Sequence, residues 1–233
     1  MVVAQAIGCK ALQKSAEGEE DVMRRTKVGK YLFLPGFLCL LFVVPSFIRA
    51  AVSAQRTPAS LIESGTQRVL QILHESQQEQ VRSLRRRKDE IISIISEYFS
   101  FDEMAKRSLG HLWKLQTDDK REEFTRLFRQ LLFNTYISRL ENYTGSSEQI
   151  YYDFEKIDGD YAIVETHIVY QGGSKVSIEY RLHRDAEQWK VYDVVVEGIS
   201  FIDNYRSQFD SILANESFDS LLRRLHQKVD ELN

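Results

Sequence analysis

The stretch WKVYDVVVEGISFIDNYRSQF (189–209) changes its period part-way along, and that change decides the fold. Trp189 to Val196 is rich in aromatic and β-branched side chains, the composition of a strand half or wholly buried in a sheet. Gly198 breaks the run, because only glycine takes positive φ without a steric cost. Beyond it, Ser200 reads as a helix N-cap with Asp203 three residues on. Phe201, Tyr205 and Phe209 then recur every four residues and share one helical face. A buried strand therefore turns sharply into a helix whose aromatic stripe has to lie back on something apolar.

Three further strands precede this corner: Gln149–Ile157, Asp160–Gln171 and Lys175–Arg184, ahead of Trp189–Glu197. Asp158-Gly159, Gly172-Gly173 and Asp185–Gln188 mark the turns. Even-numbered positions are apolar in all four strands: Tyr152 and Phe154; Val164, Ile168 and Tyr170; Val176, Ile178, Tyr180 and Leu182; Tyr192, Val194 and Val196. A strict two-residue Asp-Gly turn would set Tyr152 opposite Glu165, so even faces even only where a connection is odd in length or bulged. The alternation predicts an antiparallel meander with one apolar side. The last strand is the exception, with Trp189, Val191 and Val195 on its odd face. Either a helix covers that side too, or Trp189 sits on an edge.

Helical periods fill the rest. Pro58 opens a helix with Leu61, Ile62, Val69, Ile72 and Leu73 on its apolar side. A second helix runs over Val81–Phe99, with the solvated run Arg85-Arg86-Arg87-Lys88 on it. Phe101–Leu109 is a short helix stopped by Gly110. Thr117 caps the longest helix, where Phe124, Leu127, Phe128, Leu131, Leu132, Tyr136, Leu140 and Tyr143 recur at spacings of three and four until Gly145. Ser200–Leu213 and Ser217–Leu232 finish the chain. The fold class is α+β: a four-stranded curved antiparallel sheet wrapped by helices, with N-terminal helices ahead of it.

Residues 1–54 stand apart from this pattern. Arg24, Arg25, Lys27 and Lys30 precede the apolar run Tyr31–Ile48, and small residues follow, with Val52 and Ala54 placed for a cut before Gln55. That order predicts a cleavable secretory signal peptide, with Met23 as the true start and an uncleaved membrane anchor as the alternative. Residues 55–233 then form a single α+β domain. Both cysteines, Cys9 and Cys39, fall in the removed part, which leaves no disulfide, thiolate metal site or cysteine nucleophile. The whole chain carries a net charge of −3, and removing 1–54 makes it more acidic. That balance argues against a general nucleic-acid binder, and no motif restores the idea.

Catalytic and metal signatures are equally scarce. No HExxH, paired histidines, glycine-rich phosphate loop or GxSxG elbow occurs. His167 and His183 fall on the polar sides of their strands. Asp193 and Glu197 share a strand face and form the nearest thing to an acid/base pair, although a structural role beside Gly198 suits them better. What remains is apolar and aromatic surface, and a greasy cavity and a solid core have the same periodicity.

FDEMAKRSLGHLWKLQTDDKREEFTRLFRQLLFNTYISRLENY (101–143) and WKVYDVVVEGISFIDNYRSQFDSIL (189–213) resemble the MlaC family. These proteins are the periplasmic lipid-binding component of an ABC-type phospholipid transport system. The resemblance rests on Phe101-Asp102, Gly110, Trp113, Phe124, Phe128 and Tyr136, then Trp189, Tyr192-Asp193, Glu197-Gly198 and Ser200, and extends over nearly all of 57–230. It implies a cystatin-like fold, a deep apolar pocket for acyl chains and a headgroup near solvent. It also implies shuttling between an outer-membrane lipoprotein–porin complex and an inner-membrane MCE-type transporter, as a monomeric non-enzyme with no cofactor beyond the bound phospholipid. Expected pocket residues are Phe128, Leu132 and Tyr136 on the long helix; Tyr152, Val164, Ile168, Tyr180 and Val194 on the sheet; and Phe201 and Tyr205 on the closing helix. Arg206 and the 85–88 cluster are headgroup candidates. A periplasmic adaptor with a solid core and no ligand is the alternative.

Overall fold

The computed structural model describes residues 56–78, 84–141, 149–170 and 172–232. Residues 1–54, expected from sequence to be a leader, both cysteines, Val81 and Gly145 lie outside the described residues. Five strands pair antiparallel in sequence order: β1 (Gln149–Asp158), β2 (Tyr161–Val169), β3 (Lys175–Asp185), β4 (Gln188–Val196) and β5 (Ile199–Ser200). The helices are α1 (Pro58–Gln78), α2 (Leu84–Tyr98), α3 (Phe101–Leu109), α4 (Asp118–Glu141), α5 (Phe201–Leu213) and α6 (Phe218–Leu232), with a 3₁₀ turn over Gly110–Leu115.

Two bulges set which side chains meet. In β1, Tyr152 pairs with Thr166 but Phe154 with Glu165, so Asp153 is an extra residue. Ile150 and Tyr152 keep the even face, whereas Phe154 is turned away and is half-exposed. The even-position expectation therefore fails for Phe154, because one inserted residue flips every side chain beyond it. Glu155 takes the vacated parity, and its Oε1 accepts the Ala59 N–H at 2.7 Å. That places a carboxylate at the start of α1, where the helix dipole favours it.

The second bulge is in β4. Tyr180 pairs with Val194, but Leu182 pairs with Val191, skipping Tyr192. Trp189 and Val191 thereby join Leu182 on the apolar face and are buried against Ile62 of α1, with Ala162 and Val164. Neither an edge nor a second covering helix is needed for Trp189. The expected inward Tyr192 instead lies under the Arg107 guanidinium, 3.9 Å from its ring centroid.

The turns follow the sequence cues with one surprise. Glu197 and Gly198 both have positive φ, and β5 folds straight back on β4 through this two-residue turn. Between β3 and β4, Ala186 and Glu187 also take positive φ, at 41° and 74°. Left-handed backbone is unfavourable for residues with a Cβ, by about 1–2 kcal/mol each. The double substitution Ala186→Asn/Glu187→Gly is expected to stabilise the protein by about 1 kcal/mol, read as a higher thermal midpoint.

Ser200 caps α5 as read, its Oγ accepting the Asp203 N–H at 3.0 Å. The aromatic stripe of α5 then closes on α4: Phe209 meets Phe124 and Phe128 edge-on at 5.4 and 5.7 Å, and Tyr205 meets Phe128 at 5.0 Å. Such edge-to-face pairs add about 0.5–1.5 kcal/mol each beyond burial. Leu221, Leu222, Leu225 and Val229 of α6 complete this helical core. Phe133, on another side of α4, is buried with Leu73 of α1 and Ile91 of α2, which explains the width of the α4 stripe.

Candidate functional site

The space between the sheet and its helices is not filled. A cavity of about 290 Å³ lies under α1 and α2, over the inner face of the sheet. Ile62, Gly65, Thr66, Val69, Leu70 and Leu73 come from α1, Ile94, Ile95, Tyr98 and Phe99 from the end of α2, and Ile150, Ile168, Tyr170 and Tyr180 from the strands. A second cavity of about 130 Å³ is lined by Ile95, Phe99, Phe101, Met104, Leu132, Phe133, Tyr136, Val194 and Phe201. Among the described residues, no carboxylate, imidazole or cationic side chain lines either one. Larger and polar, a groove of about 680 Å³ runs along the outside of α4 past Arg121, Arg126, Arg129 and Lys190, with Asp102, Asp118 and Asp185 among its walls.

The residues expected from sequence divide into three groups. Ile168 and Tyr180 line the larger cavity, and Leu132, Tyr136, Val194 and Phe201 the smaller one. Tyr136 and Phe201 stack at 4.8 Å with 11° between their rings, and form one wall together. Phe128 and Tyr205 sit in the helical core and Val164 in the sheet core, lining neither cavity. Tyr152 is on the even face but 36% exposed, and lines neither cavity.

Sequence reasoning missed the α1 wall and the end of α2. A period shows that Val69 and Leu73 are buried, but not what faces them. Gly65 was the available signal. A glycine inside a helix costs about 1 kcal/mol relative to alanine, so a mid-helix glycine points to close packing. A Cβ there would lie 3.1 Å from the Tyr98 ring. Gly65 thus lets α1 approach Tyr98, whose hydroxyl hydrogen-bonds Ser64 Oγ at 3.1 Å.

Tyr180 carries the clearest electrostatic mark of this interior. Its ring keeps some accessible surface because it faces the cavity, yet burial pushes its phenol up to about 12. Folding therefore holds the proton more tightly than the unfolded chain, whose phenol has the ordinary value of 10.0. The stability this contributes is complete below that value and is lost as pH rises towards the folded one. Between about pH 10 and pH 12, wild type is expected to lose more stability than Tyr180→Phe in urea titrations. Equal losses would show that this phenol is not desolvated.

Other polar groups are engaged elsewhere. Arg206 donates from Nε and Nη2 to the Arg107 carbonyl at 2.9 and 2.6 Å, closing the C-terminal end of α3. Arg86 pairs with Glu90 at 3.4 Å on the exposed side of α2. Asp193 is buried and accepts from Ser200 Oγ, the Ile202 N–H and Arg181 Nη1 at 2.7, 3.1 and 3.2 Å. Glu197, its expected neighbour, is exposed and accepts the Ser177 N–H. His167 pairs with the bulged Asp153 at 2.6 Å and stacks on Tyr151. Among the described residues no three His, Cys, Asp or Glu side chains come together as a metal site would need.

The family profile described as MlaC protein matches residues 63–227. This chain belongs to the MlaC family. The intermembrane phospholipid transport system binding protein MlaC of Haemophilus influenzae is 22% identical over 200 residues, covering 84% of this chain and 93% of the relative. Among solved structures, a phospholipid-binding protein from Ralstonia solanacearum in complex with a phospholipid superposes with a TM-score of 0.66 at 20% identity, covering 75% of this chain and 97% of that one. The MlaC fold of this chain is thus the α+β arrangement described above, with β5 added to the four strands read from sequence. No helix among the described residues is long and apolar enough to cross a membrane.

Proposed function

We propose that this MlaC-family protein is a phospholipid carrier that takes acyl chains into its apolar interior and moves lipid between membranes. The observation that carries the reading is the 290 Å³ cavity, lined among the described residues by aliphatic and aromatic side chains and Thr66, with no charged group. Its size is at the lower end of ordinary ligand pockets, which run from about 300 Å³. Two acyl chains contain roughly 30 methylenes, and at ~0.8 kcal/mol each their exposure to water costs on the order of 20–25 kcal/mol. Lipid therefore does not cross an aqueous space unaided. A protein interior about as apolar as the bilayer removes that cost without holding the chains so tightly that delivery stops.

In this reading the leader directs a monomeric, soluble protein to the periplasm. There it exchanges lipid with an outer-membrane lipoprotein–porin complex and an inner-membrane MCE-type ABC transporter, and does no chemistry on the lipid. The names of its relatives support the lipid and the intermembrane setting. Ile168, Tyr180, Leu132, Tyr136, Val194 and Phe201 contact the chains. The residue 56–233 protein is tested with donor vesicles holding self-quenched fluorescent phospholipid and unlabelled acceptors. The expected result is dequenching that rises with protein concentration, while a rate equal to the protein-free control would refute the carrier reading.

A further inference from the structure

Among the described residues, Ile95 and Phe99 are the two that line both apolar cavities. Phe99 also borders the polar groove, so its ring stands where three spaces meet. Its backbone is fixed. The Phe99 N–H donates to the Ile95 carbonyl at 3.0 Å, the next N–H, of Ser100, donates to the Val191 carbonyl at 2.9 Å, and Phe99 forms a parallel bridge with Val191. The ring is held less closely. It is only partly buried, packs against both the helical and the sheet cores, and lies 6.2 Å from the Phe101 ring.

The volumes give this position a consequence. A methylene takes about the space of a water molecule, roughly 30 Å³, so about 30 methylenes need on the order of 900 Å³. The cavities of about 290 and 130 Å³ together offer less than half of that. A lipid with two long chains fits only if the wall between the cavities yields or chain ends remain outside. The wall is two side chains, Ile95 on the last turn of α2 and Phe99 just past its end. Turning the Phe99 ring towards the groove would join the two cavities without disturbing any backbone hydrogen bond named above.

We propose that Phe99, backed by Ile95, is the partition that sets how much acyl chain this protein accepts, and so determines its preference for chain length. The proposal rests on the phospholipid reading and adds to it a specificity residue. Phe99→Ala removes a six-carbon ring and makes room for roughly four further methylenes at about 30 Å³ each. Phe99→Trp thickens the wall.

The test incubates wild type, Phe99→Ala, Phe99→Trp, Ile95→Ala and the surface control Leu115→Ala with vesicles containing equal amounts of saturated phosphatidylethanolamines of graded chain length. Protein is separated from vesicles, and its lipid is measured by mass spectrometry. Expected is a shift to longer chains in Phe99→Ala and Ile95→Ala, a shift to shorter chains in Phe99→Trp, and the wild-type profile in Leu115→Ala. Ile95→Ala opens the same wall from the other side and decides the matter if Phe99→Ala does not fold. Bound lipid with one chain-length profile in all folded variants overturns the partition and leaves the carrier reading standing. Wild type that takes up no lipid overturns both.

Discussion

Asp193→Ala is expected to destabilise the protein by about 3 kcal/mol, because it leaves three donors around a buried site without their acceptor. The carboxylate is 2% exposed and joins three parts of the fold: Arg181 on β3, the Ser200 cap and the first turn of α5 through the Ile202 N–H. Hydrogen bonds to a charged group contribute about 1.5–3 kcal/mol each, but Arg181 retains Glu179 at 2.7 Å, so the loss falls short of the full sum. For a domain of this size the expected fall in thermal midpoint is about 6–12 °C. Asp193→Asn keeps an acceptor for Ile202 and should lose about half as much. Thermal unfolding followed by circular dichroism decides it. An alanine variant within about 0.5 kcal/mol of wild type would mean that the β4–α5 corner is held by its aromatic packing alone.

Ile168→Trp is expected to weaken lipid binding by about thirtyfold while leaving the fold intact. The larger side chain projects from β2 into the cavity and displaces two to three methylenes of acyl chain. At ~0.8 kcal/mol per methylene that is about 2 kcal/mol, or about thirtyfold in affinity. Phe154→Ala is the matched control, since this side chain is 51% exposed on the strand that leaves the apolar face. Displacement of a fluorescent fatty acid, with lipid as competitor, measures both. Equal affinity of wild type and Ile168→Trp would place the chains elsewhere.

Much of this architecture was legible in the residues themselves. The period change at Gly198, the Ser200 cap and the 201/205/209 stripe define the corner that the structure contains. The four strands and their order follow from turn residues and alternation. What composition does not reveal is a single inserted residue. Asp153 and Tyr192 look like ordinary strand residues, yet each shifts the parity of what lies beyond it, sending Phe154 outward and bringing Trp189 and Val191 inward. The interior was legible only in part for a different reason. A helical stripe shows that Phe128 and Tyr136 are both covered, whereas only packing shows that Phe128 meets Tyr205 and Phe209 while Tyr136 borders a cavity. The α1 wall escaped because its apolar positions had no visible partner until Gly65 was seen against Tyr98.

The central claim is that the hollow between α1, α2 and the sheet shelters acyl chains from water. Native mass spectrometry of the protein, purified without detergent from cells that make it, addresses that claim most directly. A bound species with the mass of a phospholipid is expected, released by collisional activation and depleted in Ile168→Trp. Protein that flies only at its bare polypeptide mass, and stays bare after incubation with phospholipid vesicles, would contradict it.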